Sequence, residues 1–291
     1  MALWQFFLIG LIIVNTLSIV LTKAAADKLP KRSVGVFYQY ALCAIIASFY
    51  AVFVGGLDFS TLIILVMIIG AINAFGNYFQ WQASHISLSK TSLFFPVMDI
   101  MTINLAIIFL AEGNIWNLQL VLGVLISFSA IYLFRFSSIK KDGTKETLNK
   151  NWFIYLTAMI TIFGSAAFLV KVFSLTISSG TFLAGWYIGA FFGSIGLLAL
   201  TRENPKNDFS KMTFLTVLPV STTILGTLLL MFLTYQFGGP VSIVLPFRMS
   251  FSAFTPALIG LFIFKERKTL SWKEKLAMAL GVIGAALIIS R

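Results

Sequence analysis

Charged side chains are scarce in this chain: they make up 11% of its residues, against about 25% in a soluble globular domain. Too few polar groups are present to coat a water-facing surface, which excludes a soluble fold. Cysteine is limited to Cys43, inside an apolar run, and this excludes a disulfide framework and any cysteine-rich metal site. Histidine is limited to His85 and the ten acids are scattered, so the clustered acids, histidines or metal set that a membrane-embedded enzyme needs are missing. No Walker A pattern or phosphate-cradling glycine loop occurs, which removes ATP as a direct source of work. The expectation is a non-enzyme without a cofactor.

What the chain has in excess is apolar length. Of its 291 residues 59% are hydrophobic, 30 of them phenylalanine, and the mean hydropathy is +0.95. A spanning helix takes roughly 20 residues, so a chain of this length holds about ten spans and no sizeable soluble domain. Apolar stretches broken by charge or turn residues fall at 3–22, 33–54, 60–83, 91–111, 117–134, 152–173, 180–200, 212–236, 240–264 and 274–290. The expected fold is therefore an all-α integral membrane protein with ten spans. The first stretch has no basic region before it and a basic cluster from Lys23 to Arg32 after it, so it reads as a retained helix rather than a signal peptide.

A formal charge of +11 would suggest a nucleic-acid partner in a soluble protein. Here 18 of the 21 Lys and Arg residues lie on the odd-numbered connections, among them Lys23, Lys28, Lys31, Arg32, Lys90, Lys140, Lys141, Arg202, Lys265 and Lys275, and the even connections carry none. The excess describes orientation against anionic headgroups, with no nucleic-acid partner implied. By the positive-inside rule the odd connections are cytoplasmic and both termini external. One polar linker, 136–151, divides a first five-span unit (1–135) from a second (152–291).

The two units align. Trp4 and Lys23 lie 19 residues apart, as do Trp152 and Lys171, an offset of 148 between the units that also pairs Tyr38 with Trp186; further on the offset drifts, as Pro96 meets Pro246, Glu112 meets Glu266 and Gly123 meets Gly281. Because five is odd, the second copy enters the membrane from the opposite face, the inverted-repeat arrangement of many secondary transporters, whose site lies near the bilayer midplane between the repeats. The half-repeat pattern is a helix ending in Lys, then "ASHISLSKTSLFFP" (83–96) and "FLAEGNIWNLQLVLGV" (109–124), repeated as "GGPVSIVLPF" (238–247), "FIFKERKTLSW" (262–272) and "LGVIGAALI" (280–288). It resembles the drug/metabolite transporter superfamily, in its ten-helix EamA-like branch, along essentially the whole chain. The stretch at the start of span 2 reads "FYQY" (37–40), where that branch usually has Arg. The resemblance implies a carrier whose spans 1, 3, 4, 6, 8 and 9 line a cavity while 5 and 10 lie outside, and it favours export of amino acids or related metabolites.

Charges inside a span cost about 2.5–3.5 kcal/mol each on insertion scales, so each one asks for a reason. Asp99 in span 4 and Arg248 in span 9 sit roughly 12 Å deep from opposite faces, just after the paired prolines. Two readings stand: a structural ion pair, or a wet cavity in which the guanidinium holds an anionic group and Asp99 an amine or a proton. Polar stripes favour a cavity. Asn73, Asn77, Gln80 and Ser84 share one face of span 3; Asn15, Ser18 and Thr22 mark span 1; Thr102 accompanies Asp99; Thr223, Thr227 and Thr234 mark span 8; Ser252 and Thr255 follow Arg248. Tyr38 and Trp186 are candidate stacking partners for a substrate, with ordinary packing as the alternative. Gly185, Gly189 and Gly193 form a ladder for close helix approach, and Trp4, Trp152 and Trp272 read as interfacial belt residues. Lys171 is placed to snorkel toward headgroups, with a gating role as the alternative because Lys23 is its repeat partner.

The expected function is secondary transport of a small polar solute across the cell (inner) membrane by alternating access. The alternatives are a carrier for phosphorylated or nucleotide-linked metabolites, a cationic drug exporter, and, further off, a channel or scaffold. Asp99 is the one deep acid able to carry a proton, and the residues leave open whether a proton, another ion or the solute's own gradient does the work.

Overall fold

The computed structural model describes residues 2–54, 60–92, 94–110, 150–205, 210–265 and 272–289, with isolated positions between 118 and 133. Its helices are α1 (Leu3–Lys28), α2 (Arg32–Val54), α3 (Thr61–Ile86), a short α4 (Leu88–Ser92), α5 (Phe95–Leu110), α6 (Lys150–Ser174), α7 (Ser179–Thr201), α8 (Lys211–Gln236), α9 (Val241–Phe262) and α10 (Trp272–Ile289). No strand occurs among the described residues. Among the described residues, seven stretches are long and apolar enough to cross a membrane: α1, α2, α3, Leu88–Leu110 (α4 with α5), Asn151–Ser174 of α6, α7 and α8. The chain is an all-α, multi-pass membrane protein, the form lipid imposes because every backbone polar group must be satisfied within its own segment. The expected span 117–134 and most of the linker 136–151 lie outside the described residues.

Two expected boundaries move. Helix α1 runs on to Lys28 because Lys23 and Asp27, one turn apart, pair at 3.0 Å and keep the charged stretch helical. Span 4 is broken: α4 ends at Ser92 and α5 starts at Phe95, so Pro96 sits in a first turn, where its missing N–H costs nothing. Pro246 instead lies inside α9.

Outward faces are apolar, with Phe49, Phe53, Ile13 and Ile108 exposed as lipid-facing residues are. Inward, α3 and α7 approach at backbone distance. A Cβ on Gly189 would lie 1.9 Å from the Met67 carbonyl oxygen, and one on Gly70 2.1 Å from the Trp186 carbonyl oxygen. Only glycine permits this contact, and it fixes where Trp186 points.

Side-chain bonds show which helix ends share a face. Trp152 Nε1 donates to Thr91 Oγ1 at 3.1 Å, and Thr201 Oγ1 donates to Ser33 Oγ at 3.2 Å. The start of α6, the end of α7 and the start of α2 therefore lie on the face where α1 and α3 end. On the opposite face Tyr50 and Ser179 hydroxyls meet at 3.1 Å, joining the end of α2 to the start of α7. Helices α1 and α6 thus run in opposite directions through the membrane.

Candidate functional site

A cavity of about 150 Å³ lies among α1, α3, α5, α6, α7, α8 and α9. Seven of the expected site residues line it: Asn15 from α1; Asn73, Asn77 and Gln80 from α3; Trp186 from α7; and Arg248 and Ser252 from α9. The amides reach it together because the i, i+4, i+7 spacing keeps them on one face of α3. Helix α7, which the family resemblance did not place on the cavity, contributes Trp186 and Tyr187.

Arg248 and Asp99 meet. The guanidinium binds both carboxylate oxygens, Nη2 to Oδ1 and Nε to Oδ2, the latter at 3.4 Å. Asp99 is fully buried and lies off the cavity wall, whereas Arg248 is on it. The carboxylate therefore holds the guanidinium from behind and leaves the cavity side to Nη1, whose recorded partner is the Met231 sulfur at 3.3 Å, a weak acceptor. The two readings of the pair combine into one arrangement: Asp99 neutralises and orients, and Arg248 presents a charge-assisted donor to the cavity.

The amide side is organised by a residue the sequence did not mark. Tyr40, fully buried on α2, accepts Asn77 Nδ2 at 3.0 Å and Asn73 Nδ2 at 3.3 Å through its hydroxyl oxygen. Both amides are thus turned with their nitrogens toward Tyr40. Asn77 Oδ1 and Ser252 Oγ, both buried and both on cavity-lining residues, have no hydrogen-bond partner among the described residues. Buried polar atoms without partners are costly, so these two are candidate contacts for a polar solute.

Two expected site residues lie elsewhere. Tyr38 is two positions from Tyr40 and so faces another way; its hydroxyl donates to the Pro205 carbonyl at 2.9 Å, near the end of α7, away from the cavity. Thr102 points from α5 into α6, donating to the Gly164 carbonyl at 2.8 Å, and pins those helices where a Cβ on Gly164 would lie 2.9 Å from Met101 Sδ. Among the described residues no three His, Cys, Asp or Glu side chains come together as a metal site would require.

No protein-family model matches the chain, and no curated protein matches it. A solved crystal structure of a protein is similar in fold: the match covers 98% of this chain and 95% of that one, with a TM-score of 0.65 and 14% sequence identity. At that identity the likeness shows the fold alone.

Proposed function

We propose that the chain is a secondary carrier of the drug/metabolite transporter type, with ten spans in two inverted five-helix repeats, which moves a small polar metabolite by alternating access. The observation that carries this reading is the central cavity, lined by helices from both halves and holding one guanidinium backed by a buried carboxylate. Helix packing supports the repeat. Exchanging each span with the one five further on turns the α1–α8 contact into α6–α3, α3–α7 into α8–α2, α5–α6 into α9–α1 and α1–α3 into α6–α8, and all of these pairs pack. The opposite directions of α1 and α6 fit the same two-fold relation.

Charge balance selects the solute. Arg248 is compensated by Asp99, and among the described residues no other charged side chain lines the cavity. A phosphate dianion would enter a low-dielectric site with two uncompensated charges. An amino acid or related zwitterion suits the site better, its carboxylate meeting Arg248 Nη1 and its ammonium the Asn77 carbonyl oxygen. The proposed location is the cell membrane, and the charge bias supports cytoplasmic odd connections; a reporter fused after Arg291 should then read as external, and a cytoplasmic reading refutes that orientation. Purified protein in liposomes preloaded with unlabelled amino acids should show saturable counterflow of the labelled solute. Flux that never saturates would make the protein a pore and overturn the carrier reading.

A further inference from the structure

Lys23 and Lys171, which the repeat alignment pairs, are both buried, at 6% and 7% exposure, so neither sends its ammonium to the headgroups. Each donates instead to a main-chain carbonyl at an equivalent place. Lys23 Nζ reaches the His85 oxygen at 2.9 Å, in the last turn of α3, and Lys171 Nζ reaches the Gly239 oxygen at 3.2 Å, just beyond α8. The His85 oxygen belongs to the last turn of its helix, where carbonyls lack partners within the helix and carry the negative end of its dipole; the Gly239 oxygen lies three residues past the end of α8. Around Lys23, Asp27 Oδ1 lies 3.0 Å from the ammonium and 2.8 Å from His85 Nδ1, and the Phe264 ring, just past α9, lies 5.8 Å away. Around Lys171, the Tyr235 ring of α8 lies 5.3 Å away. One contact ties α1 to the last turn of α3 on the first face, and the other ties α6 to the turn that follows α8 on the opposite face. Both turns lead into the helices, α5 and α9, that carry Asp99 and Arg248 to the cavity.

We propose that Lys23 and Lys171 are matched gate latches, one per membrane face, each holding its end of the cavity shut by binding a carbonyl in the last turn of, or just after, the third span of its own repeat. This rests on the alternating-access reading. Opening toward a face releases the latch on that face and leaves the other bound, so the two lysines act with opposite sign on one equilibrium.

The test uses single-cysteine reporters. Cys43 is buried, and Cys43→Ser with Ala166→Cys, on the cavity wall, supplies one thiol that is reached only through an open gate. Labelling with a charged, membrane-impermeant methanethiosulfonate is measured from each side of oriented vesicles, with Lys23→Met and Lys171→Met, which keep side-chain length so that the helices still pack. Lys171→Met should raise labelling from its own face by about tenfold and lower it from the other, Lys23→Met should do the reverse, and Lys→Arg at either site should restore the parent pattern. Shifts in the same direction, or none, while the parent reporter shows substrate-dependent labelling from both sides, would overturn the latches and leave the carrier intact. A parent reporter reached from one side only, with or without substrate, would overturn the carrier reading and the latches with it.

Discussion

The Asp99–Arg248 pair separates structural from functional roles because its members differ in what they face. Asp99→Asn leaves a buried guanidinium without its counter-charge, and Arg248→Gln leaves a fully buried carboxylate without its cation. Breaking a buried pair from one side costs about 3–5 kcal/mol. The asparagine oxygen still accepts one guanidinium hydrogen, so Asp99→Asn belongs near the low end, about 3 kcal/mol, and Arg248→Gln near the high end, about 5 kcal/mol. At roughly 2–4 °C per kcal/mol, thermal unfolding in detergent should drop by about 6–12 °C for the first and by somewhat more for the second. The double variant carries two neutral amides in place of two charges and should recover to within about 1 kcal/mol of the parent, a coupling that a double-mutant cycle reads directly. Counterflow in liposomes then divides the roles: the double variant should be folded and inactive, because the guanidinium on the cavity wall is gone. A double variant that transports at the parent rate would refute a substrate role for Arg248. One as unstable as the single variants would refute the argument that each charge is tolerated through the other.

The remaining predictions address packing and the cavity wall. Gly189→Ala should abolish folded yield, since its Cβ would meet the Met67 carbonyl at 1.9 Å, while Gly196→Ala on the same helix, with nothing within 4 Å, should leave yield and unfolding temperature unchanged; equal tolerance at both would refute the close packing of α3 on α7. Tyr40→Phe removes the acceptor of two amides and should cost about 1–2 kcal/mol in stability and about tenfold in apparent substrate affinity by counterflow; an unchanged KM would detach those amides from the substrate. Native protein should resist impermeant thiol reagents until it unfolds, because Cys43 is fully buried and donates to the Ser221 carbonyl at 3.3 Å, and Cys43→Ser should hold stability within about 0.5 kcal/mol. Rapid labelling of the native thiol would contradict its burial.

Membrane class and helical architecture are written into hydropathy because lipid leaves the backbone few other options. What hydropathy does not encode is the direction a residue takes around its helix. Trp152, read as a belt residue from its place at a span end, is 2% exposed, donates to Thr91 and meets the Phe94 and Phe153 rings edge-on. Lys171, read as snorkelling outward, turns inward to Gly239. Both turn toward protein where the sequence reading turns them toward lipid and headgroups. Neighbours from distant segments decide that direction, and a single apolar span carries little trace of them when lipid and protein interior are equally hydrophobic.

The site divides along the same line. Asp99, Arg248 and the amides of α3 were legible because polar groups in hydrocarbon are expensive and therefore conspicuous. Tyr40, Tyr187 and Met231 were not, since aromatic and thioether side chains are unremarkable in a span; the repeat alignment points to Tyr38, two residues from Tyr40. The proposed two-fold also constrains how the site works. The proposed gates are matched in position by that symmetry, but the centre is not: the paired positions carry opposite charges, and only Arg248 is on the cavity wall. A solute whose carboxylate binds that guanidinium stays anchored to α9 whichever gate is open. In the proposed carrier, exchange of the open face would then move the barrier around the solute while its anionic end kept the same protein partner.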